Sequence, residues 1–126
     1  MEKITTSQAP AAIGPYSQGM VVGNLVFSSG QIPVDPATGE VAGTTIETQA
    51  EQSCKNVAAV LAAGGSAMDS VIKTTCFLAD MADFPVFNNI YEKYFVSYPA
   101  RSCVAVKTLP KGVLCEIEAI ALRKDA

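Results

Sequence analysis

The sequence predicts a single α+β domain in which two helices cover one face of a mixed β-sheet, in the order β-β-α-β-α-β-β. Three observations carry that expectation. The chain has 126 residues, enough for one core spanning residues 1–126 and too few for a second. Two segments keep apolar residues at helical spacing, and several shorter ones alternate β-branched residues between turn signals.

The elements follow in order. Gln18 to Ser29 holds two short β-branched runs joined by Gly23-Asn24, the pattern of a hairpin with a tight turn. Gln31 to Glu40 carries Pro33, Pro36 and Gly39 and reads as an ordered loop. Thr44-Thr45-Ile46-Glu47 matches a capping box, and Ala50, Cys54, Val57, Ala58 and Leu61 continue at helical spacing until Gly64-Gly65 ends the helix. Val71 to Leu78 predicts a strand, with Val71, Lys73, Thr75 and Phe77 on one face and Ile72, Thr74, Cys76 and Leu78 on the other. A second helix is expected from about Asp83, with Pro85 in its first turn and Phe84, Phe87, Tyr91 and Phe95 forming a core stripe. Arg101 to Lys107 and Val113 to Leu122 complete the sheet, separated by a turn at Leu109-Pro110-Lys111-Gly112.

Composition narrows the function. Hydrophobic residues make up 49% and charged residues 17%, with a mean hydropathy of +0.27, so part of the surface of so small a domain is expected to be buried against other copies. The net charge is −3 and the nine cations are scattered, which leaves no basic stripe for a phosphate backbone, and nucleic acid is not an expected partner. Without a spanning apolar run or a secretory leader, no membrane partner is expected and the cytoplasm is the expected location. Cys54, Cys76, Cys103 and Cys115 show no metal-ligand spacing and read as reduced, mostly buried thiols. The absence of histidine removes His-assisted nucleophiles, His-ligated metals and His general bases. Chemistry must then rest on carboxylates, arginine, hydroxyls, backbone groups or water.

Two places could carry it. Arg101 stands between Pro99-Ala100 and an apolar strand, where a guanidinium needs a planar anion. An internal salt bridge with Glu116 or Glu118 and a site for a ligand carboxylate weigh about equally. Glu116 and Glu118, two apart on a strand, share one face about 7 Å from each other. That spacing would permit acid and base work on a glycoside, but the chain is small for such a cleft. A carboxylate near Arg101 that holds or activates a water is the more economical reading.

Further polar clusters surround these residues. Ala9-Pro10-Ala11-Ala12-Ile13-Gly14-Pro15-Tyr16-Ser17-Gln18, Ser29-Gly30-Gln31-Ile32-Pro33, Pro99-Ala100-Arg101-Ser102-Cys103-Val104 and Glu116-Ile117-Glu118-Ala119 occur in the order in which similar stretches occur in the reactive intermediate deaminase (RidA/YjgF) family. Nearly the whole chain resembles that family. The resemblance implies a chorismate-mutase-like fold, a homotrimer with a site in each cleft between subunits, and no cofactor. It implies hydrolysis of enamines and their imine tautomers, such as 2-aminoacrylate, to 2-oxo acids and ammonia, hence a small 2-imino or 2-enamino acid substrate. Carried over, Arg101 and the backbone N–H of Cys103 would hold the substrate carboxylate, and Glu116 would orient the attacking water and move a proton. Ser29 and Gly30 would line the pocket, Tyr16 would close it, Asn88 would approach on the second helix, and Glu118 would be structural. Some family members are described as ribonucleases or translation inhibitors; the acidic balance and missing histidine argue against RNA cleavage here. A 2-oxo-acid-binding protein or a chaperone-like holdase is the remaining alternative.

Overall fold

The computed structural model describes residues 1–124. Its strands are β1 (Glu2–Ile4), β2 (Gly19–Val22), β3 (Leu25–Ser28), β4 (Val71–Leu78), β5 (Ala100–Ala105) and β6 (Cys115–Leu122), and its helices are α1 (Ile46–Ala63) and α2 (Phe84–Tyr94). They form one six-stranded sheet in the order β1-β2-β3-β6-β4-β5. Among the described residues only the β4–β5 pair is parallel, and α2 supplies the crossover that parallel neighbours need. Both helices cover the same face and contact each other, with α1 lying across β6 and β3. The α+β expectation therefore holds, with one strand added: β1 offers only Ile4 to the core, too short a pattern to be read from alternation.

The helices begin and end where local chemistry directs. In α1 the N-cap is Thr45, one residue later than the expected box, and its hydroxyl accepts the Thr48 N–H at 3.3 Å. At the other end Ser66 N–H donates to Leu61 O and Gly65 N–H to Ala62 O, the paired closure that stops a helix at a glycine. The buried face of α1 runs through Ile46, Ala50, Cys54, Val57, Val60 and Leu61, and Ala58 lies beside it rather than in it. In α2, Pro85 sits in the first turn as expected, and Phe87 within the helix and Phe95 just past its end are fully buried.

The hairpin forms as expected, with Gly23 supplying the positive φ of its turn (+58°). Strand β4 departs from plain alternation. Its pairing with β6 shifts between Val71 and Lys73, so Val71 joins Thr74, Cys76 and Leu78 on the helix-covered face while Ile72 is exposed. A bulge inserts one residue and inverts the phase on one side of itself, which corrects the facing expected for these two residues. β5 starts one residue earlier than expected and stops at Ala105, and β6 starts at Cys115.

No element among the described residues covers the far face of the sheet. Register places Met20, Phe27, Ile120 and Phe77 on it, joined by Ile72, Val104 and Leu122. Val104 is 47% exposed and Leu122 42%, an apolar area of the kind that oligomers bury.

Candidate active site

Arg101 is held on three sides. It follows Pro99-Ala100 at the start of β5, pairs in register with Thr74 and projects with it toward α2. Its Nη1 donates to Asn88 Oδ1 at 2.8 Å. Its guanidinium lies 4.8 Å from the ring centroid of Tyr91 and 5.3 Å from that of Phe84, within cation–π range. No carboxylate among the described residues pairs with it; the ion pairs there are Arg123–Glu2 and Lys124–Asp69. The internal salt bridge with Glu116 or Glu118 is thus absent, and the reason is topological: Arg101 is on the helix-covered face and both glutamates are on the other.

A cleft of about 340 Å³ opens beside the guanidinium, lined by Asn88, Tyr91, Phe95, Tyr98 and Pro99 among others. Glu92 also reaches it, but its carboxylate accepts the Tyr98 hydroxyl at 2.6 Å. Tyr98 holds a left-handed φ of 52° directly before Pro99, a conformation costly for an aromatic residue and stored at the rim of the cleft.

β5 ends the sheet, so one side of its backbone has no neighbouring strand among the described residues. Val106, just past the strand, donates its N–H to Leu78 O at 2.9 Å. Backbone groups alternate sides along a strand, so Ser102 and Val104 also turn toward β4 while Arg101 and Cys103 turn their N–H groups to the free edge. The Cys103 thiol is half-buried and drawn down to about 7, chiefly by the facing Cys76 thiol and, against the opposing effect of burial, by the Arg101 cation. This edge sets outward backbone N–H donors beside one guanidinium.

The second cluster lies on the open face. Glu116 and Glu118 both project there, as expected, with Glu116 half-buried and Glu118 exposed. Burial, and then the charge of Glu118, hold the Glu116 carboxyl above its ordinary range. The Glu116 carboxylate lies against Gly30; a Cβ there would sit 2.9 Å from its Cδ, so any side chain at this position would push the carboxylate aside. The local chain path explains the approach. Phe27 pairs with Ile120 and Gln31 with Ile117, so the β3 side carries one residue more than the β6 side, and the Ser28 hydroxyl accepts the Ala119 N–H at 3.0 Å.

Ser29 does not present a free hydroxyl: its Oγ donates to Ser17 O at 2.6 Å. Tyr16, 54% exposed, stands with Gly30 and Gln31 at the wall of a cleft of about 540 Å³. The segment bearing Tyr16 is fastened by buried Gln18, whose side-chain amide donates to the carbonyls of Thr6, Ala9 and Pro10 and whose Oε1 accepts the Thr6 N–H at 2.7 Å. Asn56 on α1 ties down the proline-bearing loop by donating to Ile32 O and Val34 O.

The expected site residues therefore fall into two groups. Arg101, Asn88 and Cys103 gather at the β5 edge; Tyr16, Ser29, Gly30 and Glu116 gather beside the open face. The sheet separates them within one chain. Sequence reasoning missed Tyr91 and Phe84 as the bed of Arg101, because their helical spacing reads fully as core, and missed Gln18, which no local pattern distinguishes from a surface glutamine. The described residues hold no cluster suited to a metal ion, and no helix among them is long and apolar enough to cross a membrane.

Comparison with known proteins identifies the family of the chain. The model of the family described as Endoribonuclease L-PSP matches residues 6–123. A Lactococcus lactis protein named "Putative regulator AldR" is 56% identical over 122 residues, covering 96% of this chain and 97% of that one. A Salmonella typhimurium protein named 2-iminobutanoate/2-iminopropanoate deaminase is 51% identical over 125 residues, covering 96% and 97%. The crystal structure of Escherichia coli TdcF with bound serine superposes with a TM-score of 0.94 at 47% identity, over 98% of this chain and 100% of that one. Identity of this order along nearly the whole length, with the same fold, is decisive: the chain belongs to the Endoribonuclease L-PSP family, the RidA/YjgF family.

Proposed function

We propose that this protein is an enamine/imine deaminase, hydrolysing small 2-imino acids and their 2-enamino tautomers to 2-oxo acids and ammonia. The observation that carries the reading is Arg101: a guanidinium fixed by Asn88 and two aromatic rings, lacking an acidic partner among the described residues, beside an outward backbone N–H at Cys103. A planar fork so held suits a carboxylate. Relatives named deaminases, and a relative solved with bound serine, support the same substrate shape.

The separation of the two residue groups supports a site made between chains. In a homotrimer that buries the open apolar face, the Arg101 edge of one subunit meets the Glu116 and Gly30 surface of the next. The carboxylate then rests on Arg101 and the Cys103 N–H, which places the imine carbon before a water held by Glu116. Attack forms the C–O bond, Glu116 passes the water's proton toward nitrogen, and the carbinolamine collapses to the 2-oxo acid and ammonia. Imines hydrolyse readily in water, so fixing the anion, placing one water and supplying a proton route suffice without a cofactor.

The test is release of ammonia and 2-oxo acid from 2-aminoacrylate generated in situ, against a control without protein. Wild type accelerates release, and Arg101→Ala falls to the control rate while keeping its oligomeric state. If wild type matches the control, also with larger 2-imino acids, the deaminase reading is overturned, and titration with 2-oxo acids then tests the cleft as a binding site. The description of the family model keeps RNA cleavage as a second assay on the same preparations.

A further inference from the structure

The sheet sets two thiols opposite each other at the proposed carboxylate-binding edge. Cys76 on β4 and Cys103 on β5 are register partners and project to the same face. Neighbouring strands lie about 4.8 Å apart, inside the Cα separation that a disulfide spans. Cys76 is fully buried, whereas Cys103 is half-exposed and shares its strand with Arg101. One thiol is thus reachable from solvent and the other is held directly behind it.

We propose that Cys76 and Cys103 form a peroxide-reactive modification site, in which Cys103 is oxidised first and Cys76 resolves it as a disulfide. The Cys103 thiolate attacks one oxygen of a hydroperoxide; the O–O bond breaks, the sulfur gives up two electrons to become a sulfenic acid, and hydroxide or alkoxide leaves and takes a proton from solvent. The Cys76 sulfur then attacks the Cys103 sulfur. The S–S bond forms, the sulfenic S–O bond breaks, and the Cys76 proton leaves with that oxygen as water. The surroundings favour the first step, since the Cys76 thiol, and against the opposing effect of burial the Arg101 cation, stabilise the Cys103 thiolate. For the second, the hydrogen bond with the facing Cys103 sulfur, then burial, then the charge of that sulfur hold the Cys76 thiol protonated, and the charge disappears when Cys103 becomes a neutral sulfenic acid. The remaining pair, Cys54 and Cys115, is buried on both sides and offers no reachable thiol.

The site stands on the geometry of the two strands, and its consequence for turnover rests on the deaminase reading; a mass readout keeps the two apart. The oxidant is hydrogen peroxide in slight excess over protein, followed by trypsin without reductant. Cleavage after Lys73, Lys93, Arg101 and Lys107 leaves Cys76 and Cys103 on separate peptides, 74–93 and 102–107. Wild type yields these two joined, with the mass lower by two hydrogen atoms, and dithiothreitol separates them. Cys76→Val yields no joined peptide and instead accumulates a sulfenic acid at Cys103 that dimedone traps. Deaminase activity, measured in parallel, falls on oxidation of wild type and returns on reduction. The proposal is overturned if wild type stays fully reduced, or if Cys103 proceeds to sulfinic acid without the cross-link. Mapping of wild type decides this even if the Cys76 variant fails to fold, and even if no deaminase activity exists to lose.

Discussion

Arg101 shows how a single cation is made available rather than neutralised. Asn88 supplies a neutral acceptor and Tyr91 and Phe84 supply ring faces, so the guanidinium is oriented without an acid that would compete with a ligand. Lysine at this position keeps the charge but loses the fork and the bond to Asn88. Arg101→Lys is therefore expected to raise KM for 2-imino acids and to lower kcat/KM by roughly tenfold to a hundredfold, the worth of one charge-assisted hydrogen bond. Steady-state kinetics on substrate generated in situ check it; an unchanged kcat/KM refutes the carboxylate role. Glu116 makes a second prediction. If its ionised form holds the attacking water, activity is lost on the acid side as the carboxyl becomes protonated, and the raised position of that group sets this limb above the usual carboxylate range. Removing the neighbouring charge lowers the position of Glu116, so Glu118→Gln moves the acid limb to lower pH without moving the alkaline one. A pH–rate profile of the two proteins measures it.

At the scale of elements, the half-sites are fastened by side chains remote from the chemistry. Gln18 holds the N-terminal arm through its own amide, and its replacement by leucine strands several backbone groups. Gln18→Leu is expected to cost about 2 kcal/mol and to speed amide exchange selectively between residues 5 and 17, where Tyr16 lies. Hydrogen exchange read by mass spectrometry tests this; uniform exchange along the chain would mean that the arm is held otherwise. The N-cap gives a contrasting case. Thr45→Ala removes the acceptor for Thr48 N–H and should cost about 1 kcal/mol by urea unfolding, yet leave kcat/KM unchanged, because α1 bears none of the proposed site residues.

For the whole molecule, the uncovered sheet face and the division of the site are one prediction. Multi-angle light scattering is expected to give a trimer. Arg101→Ala and Glu116→Gln, each inactive alone, are expected to regain activity when unfolded and refolded together, since a mixed assembly contains clefts that draw arginine from one chain and glutamate from the other. With random mixing about a quarter of the clefts are complete. Failure of co-refolded mixtures to exceed their parents, with mixed assemblies demonstrated by mass, would sink the shared site.

The sequence by itself determined both helices, the hairpin, the pairing of Glu116 with Glu118 on one face and the family resemblance, because periodicity, capping and turn chemistry act over a few residues. Arg101 could be singled out as unusual from its neighbours alone, but its salt-bridge alternative could not be removed. Only the tertiary structure decided that, since β4, β5 and β6 are distant in the chain and their register is set by the packing of the core. The bulges at Val71 and beside Ser29 shift facing by one residue without a local signature, and β1 is too short to announce itself. The same non-local pairing put Cys103 in front of Cys76 and put Arg101 and Glu116 on opposite faces of the sheet.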